Sequence, residues 1–547
     1  MSAVLPQPFY YLENFQRVLD WIAQRYDDLL IEEERRFLAR FPGLPLASRA
    51  LLVRMVMRKG PLFRSTGLRY EEIGCPEQAA QALLAEGWLQ AHPPLGIDEL
   101  FRLLKKSELA RIFGLPSSAP GRKAELLEAL RDAHADAKPL AAWHEAMQET
   151  VYALKLAPLC ERLRLMFFGN LHQSWSEFVL ADLGIYRYEE VAFDATSRGF
   201  LRRGDVDDYL HLHRCRERFD QGEYLDDIVP DIPGAPLANP WLEGRRQKLL
   251  FRIAQQYEQC GEPESALALY RRCSHPGARL RVIRVLESCG RIGDARTLAE
   301  LAAAAPESEA ELQSLQRVLP RLRRKLGQAD IASSKRGKPE SIALSLPLDG
   351  DCSSVEAAAC AHFARADAPV FYVENALFNS LFGLLCWPAI FAALPGAFFH
   401  PFHHGPADLA SPDFHARRAH LFADCLSQLE SGRYRQTILD SFHAKRGIQS
   451  PFVFWEALDE PLLRLALDCI PPAHLHACFE RMLRDLPANR SGFPDLIQFW
   501  PHERRYRMIE VKGPGDRLQD NQLRWLQHFD AHQMPVVVCY VQWEDAA

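Results

Sequence analysis

Apolar side chains fall at helical spacing from early in the chain: Phe15, Val18, Leu19 and Ile22 share a face, followed by Leu29 and Leu30 ahead of the charged run EEERR. The first 90 or so residues therefore read as helices. Over residues 98–131 the ladder Leu100, Leu104, Leu109, Ile112, Leu115, Leu126, Leu127 and Leu130 predicts two amphipathic helices, one on either side of GLPSSAPGRK. The Gly and Pro of that loop end one helix and begin the next. From 141 to 330 the chain is Ala/Leu/Arg-rich and predicted helical, closed by the polar linker IASSKRGKPES. VEAAACAHFARADAPVFYVENALFNSLFGLLCWPAIF then predicts a helical run with Glu374 inside it. The texture changes near the end. LIQFW and YRMIEVKG read as strands, Gly513, Pro514 and Gly515 stop the second, LQDNQLRWLQHF is an amphipathic helix and MPVVVCYV a buried strand. Strand, turn, strand, helix, strand is a compact α/β unit.

Length refines this picture, because 547 residues at about 100–200 per domain suggest several units. With 48% hydrophobic and 25% charged residues the composition is that of a folded globular chain. No run of 18 apolar residues occurs, so no membrane span is expected. MSAVLPQPFYYLENF lacks a basic stretch followed by an apolar core, and the expected setting is a reducing cytoplasm. The 13 cysteines are scattered without a CxxC pair, which argues against a disulfide framework or structural zinc. A net charge of −6 argues against nucleic acid only on average. Between Ala47 and Tyr70 stand Arg49, Arg54, Arg58, Lys59, Arg64 and Arg69 with no acidic residue. Two readings stay open: a solvated helix face, or a surface that contacts phosphates.

The helix–loop–helix at 98–131 resembles a SAP motif, a small DNA-binding module; such modules set basic residues and a helix N-terminus against phosphates, which makes Lys105, Lys106, Arg122 and Lys123 candidate contacts. Further on, Cys260–Gly261 recurs at Cys289–Gly290 and Ala266 at Ala295 with the same spacing. These helix pairs resemble tetratricopeptide hairpins, which bind proteins or act as spacers.

Chemistry is concentrated at the C-terminus. Pro494–Asp495 precedes LIQFW, and the next strand carries Glu510 and Lys512, which share a face because they are two apart, with Val511 on the other. This is a PD…ExK constellation. Cleaving a phosphodiester calls for a divalent metal that neutralises the phosphate and activates water, and Mg²⁺ or Mn²⁺ want oxygen ligands. Asp495, Glu510 and the Val511 carbonyl supply them, and Lys512 can orient the water or stabilise developing charge. Glu374, amid Phe371, Val373, Leu377, Phe378 and Leu381, either faces solvent from its helix or is buried with a compensating cation.

EVKGPGDRLQDNQ, together with 167–191 (FFGNLHQSWSEFVLADLGIYRYEEV) and 373–387 (VENALFNSLFGLLCW), resembles the VRR-NUC nucleases, and closely the Fanconi-associated nuclease family. The resemblance spans nearly the whole chain. It implies that Glu374 joins Asp495 and Glu510 at the metal, delivered from a helix, that Gln522 supports Lys512 or the scissile phosphate, and that Arg490 grips a phosphate. It also implies cutting of branched DNA near 5′ flaps, with exonuclease action a further possibility, in repair that includes interstrand crosslinks. No ubiquitin-binding zinc-finger spacing occurs, as in a bacterial-type member, for which nucleoid association is expected.

The expected architecture is multidomain: a basic helical DNA-binding region (1–93), a SAP-like module (94–140), a tetratricopeptide-like helical region (141–344) and an α/β restriction-endonuclease-like VRR-NUC domain (345–547). The N-terminal modules would hold duplex arms through phosphates, and the helical middle would set their angle to the active site. Rival readings are a DNA-binding scaffold with an inert nuclease domain that recruits partners through its repeats, and a Holliday-junction resolvase. His400, His403 and His404 in a Pro/Gly-rich loop lack a matching ligand set, and His474 and His476 read as structural. No GxxxxGK[ST] loop is present. Trp500, Trp525 and Phe529 read as core.

Overall fold

A computed structural model describes residues 8–58, 60–115, 122–145, 147, 149–175, 186–194, 196–328, 339–347 and 354–544. Lys59 and part of the 167–191 string lie outside them. The chain forms two units, residues 1–186 with 200–206, and 187–199 with 207–547.

In the first unit, helices Tyr10–Tyr26, Glu32–Arg40, Leu46–Val56 and Pro76–Ala85 accompany a small antiparallel sheet. Its order is β1 (Leu62–Arg64), β3 (Val151–Leu154), β2 (Leu89–Ala91). The central strand comes from a stretch predicted helical. Every residue of VYAL is buried, and a four-residue apolar run with both faces covered carries no periodicity to separate strand from helix. Helix Ala157–Phe168 follows it, so the helical repeats begin later than residue 141. The predicted first helix of the SAP-like module is two helices, Ile97–Leu103 and Lys106–Ile112, because Leu104 and Lys105 turn extended and Glu108 caps the second by accepting the Lys105 N–H at 2.6 Å. Helix Lys123–Arg131 packs on the first of them.

The second unit contains the repeats. Helices Pro240–Gln259 and Pro263–Arg271 form one hairpin, Ala278–Ser288 and Ile292–Ala304 the next, and Glu309–Lys325 closes the set. The recurring Cys–Gly pairs mark equivalent turns: Gly261 and Gly290 sit at φ +79° and +75°, and Ala266 and Ala295 are fully buried in the repeat core.

The C-terminal sheet runs β4 (Ser341–Pro347), β8 (Val536–Glu544), β7 (Arg505–Lys512), β6 (Leu496–Trp500), β5 (Val370–Tyr372). β4 and β7 are parallel to β8, whereas β6 is antiparallel to both neighbours. The predicted strand–turn–strand–helix–strand order is present, with the helix at Asp520–Ala531. Strand β4 begins ahead of residue 345 and belongs to this sheet. One sheet face buries Leu496, Ile509 and Val511 against helix Val355–Phe363; the other, with Ile497, Phe499 and Met508, packs on a larger helical core.

The run predicted as helix from 355 to 391 is interrupted. Helix Val355–Phe363 is followed by β5, a turn at 374–376 and helices Leu377–Leu385 and Trp387–Ile390. Aromatic and β-branched Val370–Phe371–Tyr372 add a short edge strand beside β6. Glu374 therefore lies in a turn, not within a helix.

Candidate nuclease active site

The carboxylates gather where three adjacent strands end. β6 and β7 pair Leu496 with Ile509, and one further step in that register sets Asp495 opposite Glu510. On the other side the Val373 N–H donates to the Asp495 carbonyl at 2.8 Å, which brings Glu374 to the same sheet end. The loop into β6 is anchored by Phe493, whose ring lies 4.9 Å from Phe378 and 4.0 Å from Trp525. Trp525 and Phe529 are core residues, as predicted. Trp500 carries the Arg505 guanidinium 3.7 Å from its ring centroid.

Alternation along β7 puts Glu510 and Lys512 on one face, and Lys512 Nζ lies 2.7 Å from Glu510 Oε1. All three central groups are buried, at 8% exposure for Asp495, 1% for Glu510 and 8% for Lys512. Asp495 Oδ2 accepts the Val511 N–H at 2.8 Å, while the Val511 side chain packs on the opposite face. Burial pushes the Asp495 carboxyl up to about 6 against the lowering pull of the Val511 N–H and Lys512. Burial, with Asp495 adding to it, lifts Glu510 to about 7.

Glu374 is exposed and within electrostatic range of both buried carboxyls. Its Oε2 accepts the Tyr372 hydroxyl and its Oε1 the Asn375 amide at 3.2 Å. Among the described residues no three His, Cys, Asp or Glu side chains close into a ready ligand cluster. The donor set nevertheless suits a hard divalent cation. It is all oxygen, and two carboxylates are buried side by side with Lys512 Nζ 2.7 Å from Glu510 Oε1.

Gln522 stands in the first turn of the helix that follows the Gly–Pro–Gly stop. Its Oε1 accepts the Gln519 N–H at 2.8 Å and so caps helix Asp520–Ala531. Arg490 is half-buried, donates to the Pro451 carbonyl and lies 4.5 Å from the Phe452 ring centroid, and burial lowers its pKa. Its Nε is buried without a hydrogen-bond partner. The Gly513–Gly515 stop is held by Asp516, which accepts the Gly513 N–H at 3.0 Å.

In the N-terminal unit, part of the basic stretch turns inward. Arg54 bonds Glu72 at 2.5 Å and stacks 3.9 Å from the Tyr11 centroid; Arg64 is paired with Glu108 and Glu149. Arg58 is exposed and donates to the Gly67 carbonyl at 2.7 Å; Arg49 is half-buried. The acids that neutralise Arg54 and Arg64 lie outside 47–70, so a count within that window missed them. Lys105 and Arg122 are exposed, Lys106 and Lys123 are half-buried, and Lys123 Nζ donates to the Leu104 carbonyl at 2.7 Å.

His400 and His403 stack 4.0 Å apart beside Phe398 and Phe399, and burial lowers both pKa values. His474 bonds the Tyr506 hydroxyl at 2.9 Å and His476 lies 3.7 Å from Glu480. The twelve described cysteines are free thiols. No described helix is long and apolar enough to cross a membrane.

Sequence reasoning passed over Tyr372 and Asn375, the two residues that hold Glu374. Asn375 stands at φ +51°, a left-handed conformation that Asn tolerates better than most side chains.

Three family descriptions match the chain: "FAN1, HTH domain" at residues 9–90, "Fanconi anemia-associated nuclease SAP domain" at 94–143 and "VRR-NUC domain" at 429–543. The Fanconi-associated nuclease 1 homolog of Pseudomonas aeruginosa is 58% identical over 99% of this chain and 97% of its own length. The Arabidopsis thaliana homolog is 24% identical over 98% of this chain and 67% of its own. The crystal structure of paFAN1 bound to 2-nt 5′-flap DNA with a gap superposes with a TM-score of 0.93 at 57% identity and covers all of both chains. A second paFAN1 structure, with a 1-nt 5′ flap, gives 0.91. With a relative this similar along almost its whole length, and with helix-turn-helix, SAP and VRR-NUC regions following one another along it, the chain belongs to the Fanconi-associated nuclease 1 family and is a nuclease.

Proposed function

We propose that the chain is a divalent-metal-dependent endonuclease that cuts DNA near the branch of 5′ flaps in DNA repair, including the repair of interstrand crosslinks. The observation that carries this is the buried Asp495–Glu510 pair at the end of β6 and β7 with Lys512 on Glu510, on a chain 57% identical to a protein crystallised with 5′-flap DNA. Asp495, Glu510, Glu374 and the Val511 carbonyl would hold Mg²⁺ or Mn²⁺. A divalent ion there neutralises the scissile phosphate and lowers the pKa of the attacking water. Lys512, held beside Glu510, donates to the phosphate oxygens or the incoming water as charge develops.

In the N-terminal modules, exposed Arg58, Lys105 and Arg122, with half-buried Arg49, Lys106 and Lys123, would contact duplex phosphates without sequence preference. Arg54 is better suited to holding the fold, because Glu72 already neutralises it. Gln522 would support Lys512 or the scissile phosphate, and Arg490, whose Nε has no hydrogen-bond partner, would grip a phosphate. A protein acting on chromosomal DNA would associate with the nucleoid.

The test is cleavage of end-labelled 5′-flap, 3′-flap, four-way-junction and plain duplex DNA with Mg²⁺, Mn²⁺ or EDTA. Preferred, metal-dependent incision near the 5′-flap branch is expected. Symmetric paired cuts on the four-way junction in preference to the flap would favour a resolvase, and binding without cutting under any ion would favour a scaffold.

A further inference from the structure

We propose that Asn375, together with the Tyr372 hydroxyl, is a positioning residue that sets the Glu374 carboxylate against the Asp495–Glu510 pair; this rests on the reading of Glu374 as a metal ligand. One side-chain amide spans two segments. Asn375 Oδ1 accepts the backbone N–H groups of Gly492 at 2.8 Å and Phe493 at 3.2 Å, in the loop that leads into Asp495. Its Nδ2 donates to Glu374 Oε1 at 3.2 Å, in the turn after β5. Two accepting contacts at the oxygen and one donating contact at the nitrogen fix the orientation of the amide, since the reverse orientation would set N–H against N–H.

The backbone reinforces the bridge. Asn379 Nδ2 donates to the Asn375 carbonyl at 2.6 Å and to the Arg490 carbonyl at 2.9 Å, a second tie between the same two segments. Asn375 holds φ +51°, a conformation that costs most L-residues energy and persists because its surroundings over-determine it. Gly492 stands at φ +97°, and a Cβ there would come within 2.9 Å of the Asn521 backbone, so the loop has little room to slide. Tyr372, 54% exposed, donates to the other oxygen, Glu374 Oε2. Both oxygens of the carboxylate are thus held by donors, and one donor is fastened to the Asp495 loop. Such outer partners orient a metal-binding carboxylate, and their loss typically costs about 10–100-fold in metal affinity.

The test is Mn²⁺ titration followed by electron paramagnetic resonance on the full-length, DNA-free protein, with amide hydrogen exchange at Gly492 and Phe493, for wild type, Asn375→Gly, Tyr372→Phe and Glu374→Gln. Glycine keeps the left-handed backbone and removes the bridge. Asn375→Gly is expected to weaken Mn²⁺ binding about tenfold, to expose the two amides to faster exchange, and to keep 5′-flap affinity in EDTA. Tyr372→Phe is expected to weaken Mn²⁺ severalfold while leaving the two amides protected, and it carries the test if Asn375→Gly does not fold. Wild-type Mn²⁺ affinity in Asn375→Gly and Tyr372→Phe, with weakened affinity in Glu374→Gln, overturns the positioning role and leaves Glu374 as a ligand. Wild-type affinity in Glu374→Gln removes Glu374 from the metal and the proposal with it.

Discussion

The carboxylate of Asp495 accepts the backbone N–H of Val511 at 2.8 Å across the ends of β6 and β7. That bond orients Asp495 toward Glu510 on the strand that also carries Lys512, and it leaves one Asp495 oxygen for another partner. Asp495→Asn keeps an oxygen for the Val511 N–H and removes the buried charge. Its melting temperature is expected to match or exceed wild type in EDTA, with flap cleavage falling by at least about a hundredfold. Calorimetry and single-turnover cleavage check the two halves; an unstable Asp495→Asn would mean the carboxylate holds the fold rather than a cation.

Titration of the same pair gives stability a definite sign with pH. Both folded pKa values, about 6 for Asp495 and about 7 for Glu510, lie above their ordinary values of 3.8 and 4.5. The native metal-free protein therefore binds more protons than the unfolded chain between these limits. The contribution is present in full below about pH 4 and is lost as pH rises through 6 to 7. In EDTA, Glu510→Gln is expected to gain stability relative to wild type as pH goes from 5.5 to 8, and wild-type Mn²⁺ affinity to rise over the same interval. Thermal melts that show no such relative gain would contradict the pKa shifts.

Much of this site was legible in the sequence. Asp495, Glu510 and Lys512 could be placed because a strand has an unambiguous period and the Gly–Pro–Gly stop fixed its end. Glu374 was legible as a residue but not in its setting: Val370–Phe371–Tyr372 is too short to show alternation, and the apolar helix after it masked the turn. Val151–Leu154 hid in the same way. The engagement of Arg54 was illegible for another reason, since Glu72 lies beyond the charge window and only the fold brings it back. The repeat, by contrast, showed in the shared offset of its two copies, and its Cys–Gly pairs fell on equivalent turns.

Those turns make a prediction of their own. Gly261→Ala and Gly290→Ala each force a side chain into the left-handed region, at φ +79° and +75°, at a cost of about 1–2 kcal/mol. Space is not the obstacle, since a Cβ at either position meets nothing within 4 Å. Denaturant melts should show similar losses for the two single variants; no loss at either would argue against backbone strain as the cause.

The N-terminal arginines and lysines should separate into two groups. Arg54→Ala breaks an ion pair and a stacked ring contact and is expected to destabilise by about 1–3 kcal/mol. Lys105→Ala and Arg122→Ala, both exposed, should leave melting unchanged, weaken DNA binding on any sequence and reduce the salt slope by about one each. Affinities measured from 50 to 300 mM salt decide it, and unchanged slopes in both variants would remove these residues from the phosphate-contact surface.

The most direct test of the central claim is single-turnover incision of an end-labelled 5′-flap duplex by wild type, Asp495→Asn and Lys512→Ala, each with Mn²⁺ and with EDTA. The account predicts cutting near the branch by wild type with Mn²⁺ alone, and loss of that cut in both variants while they still bind the flap. Cutting by the variants at the wild-type rate, or by wild type in EDTA, would contradict it.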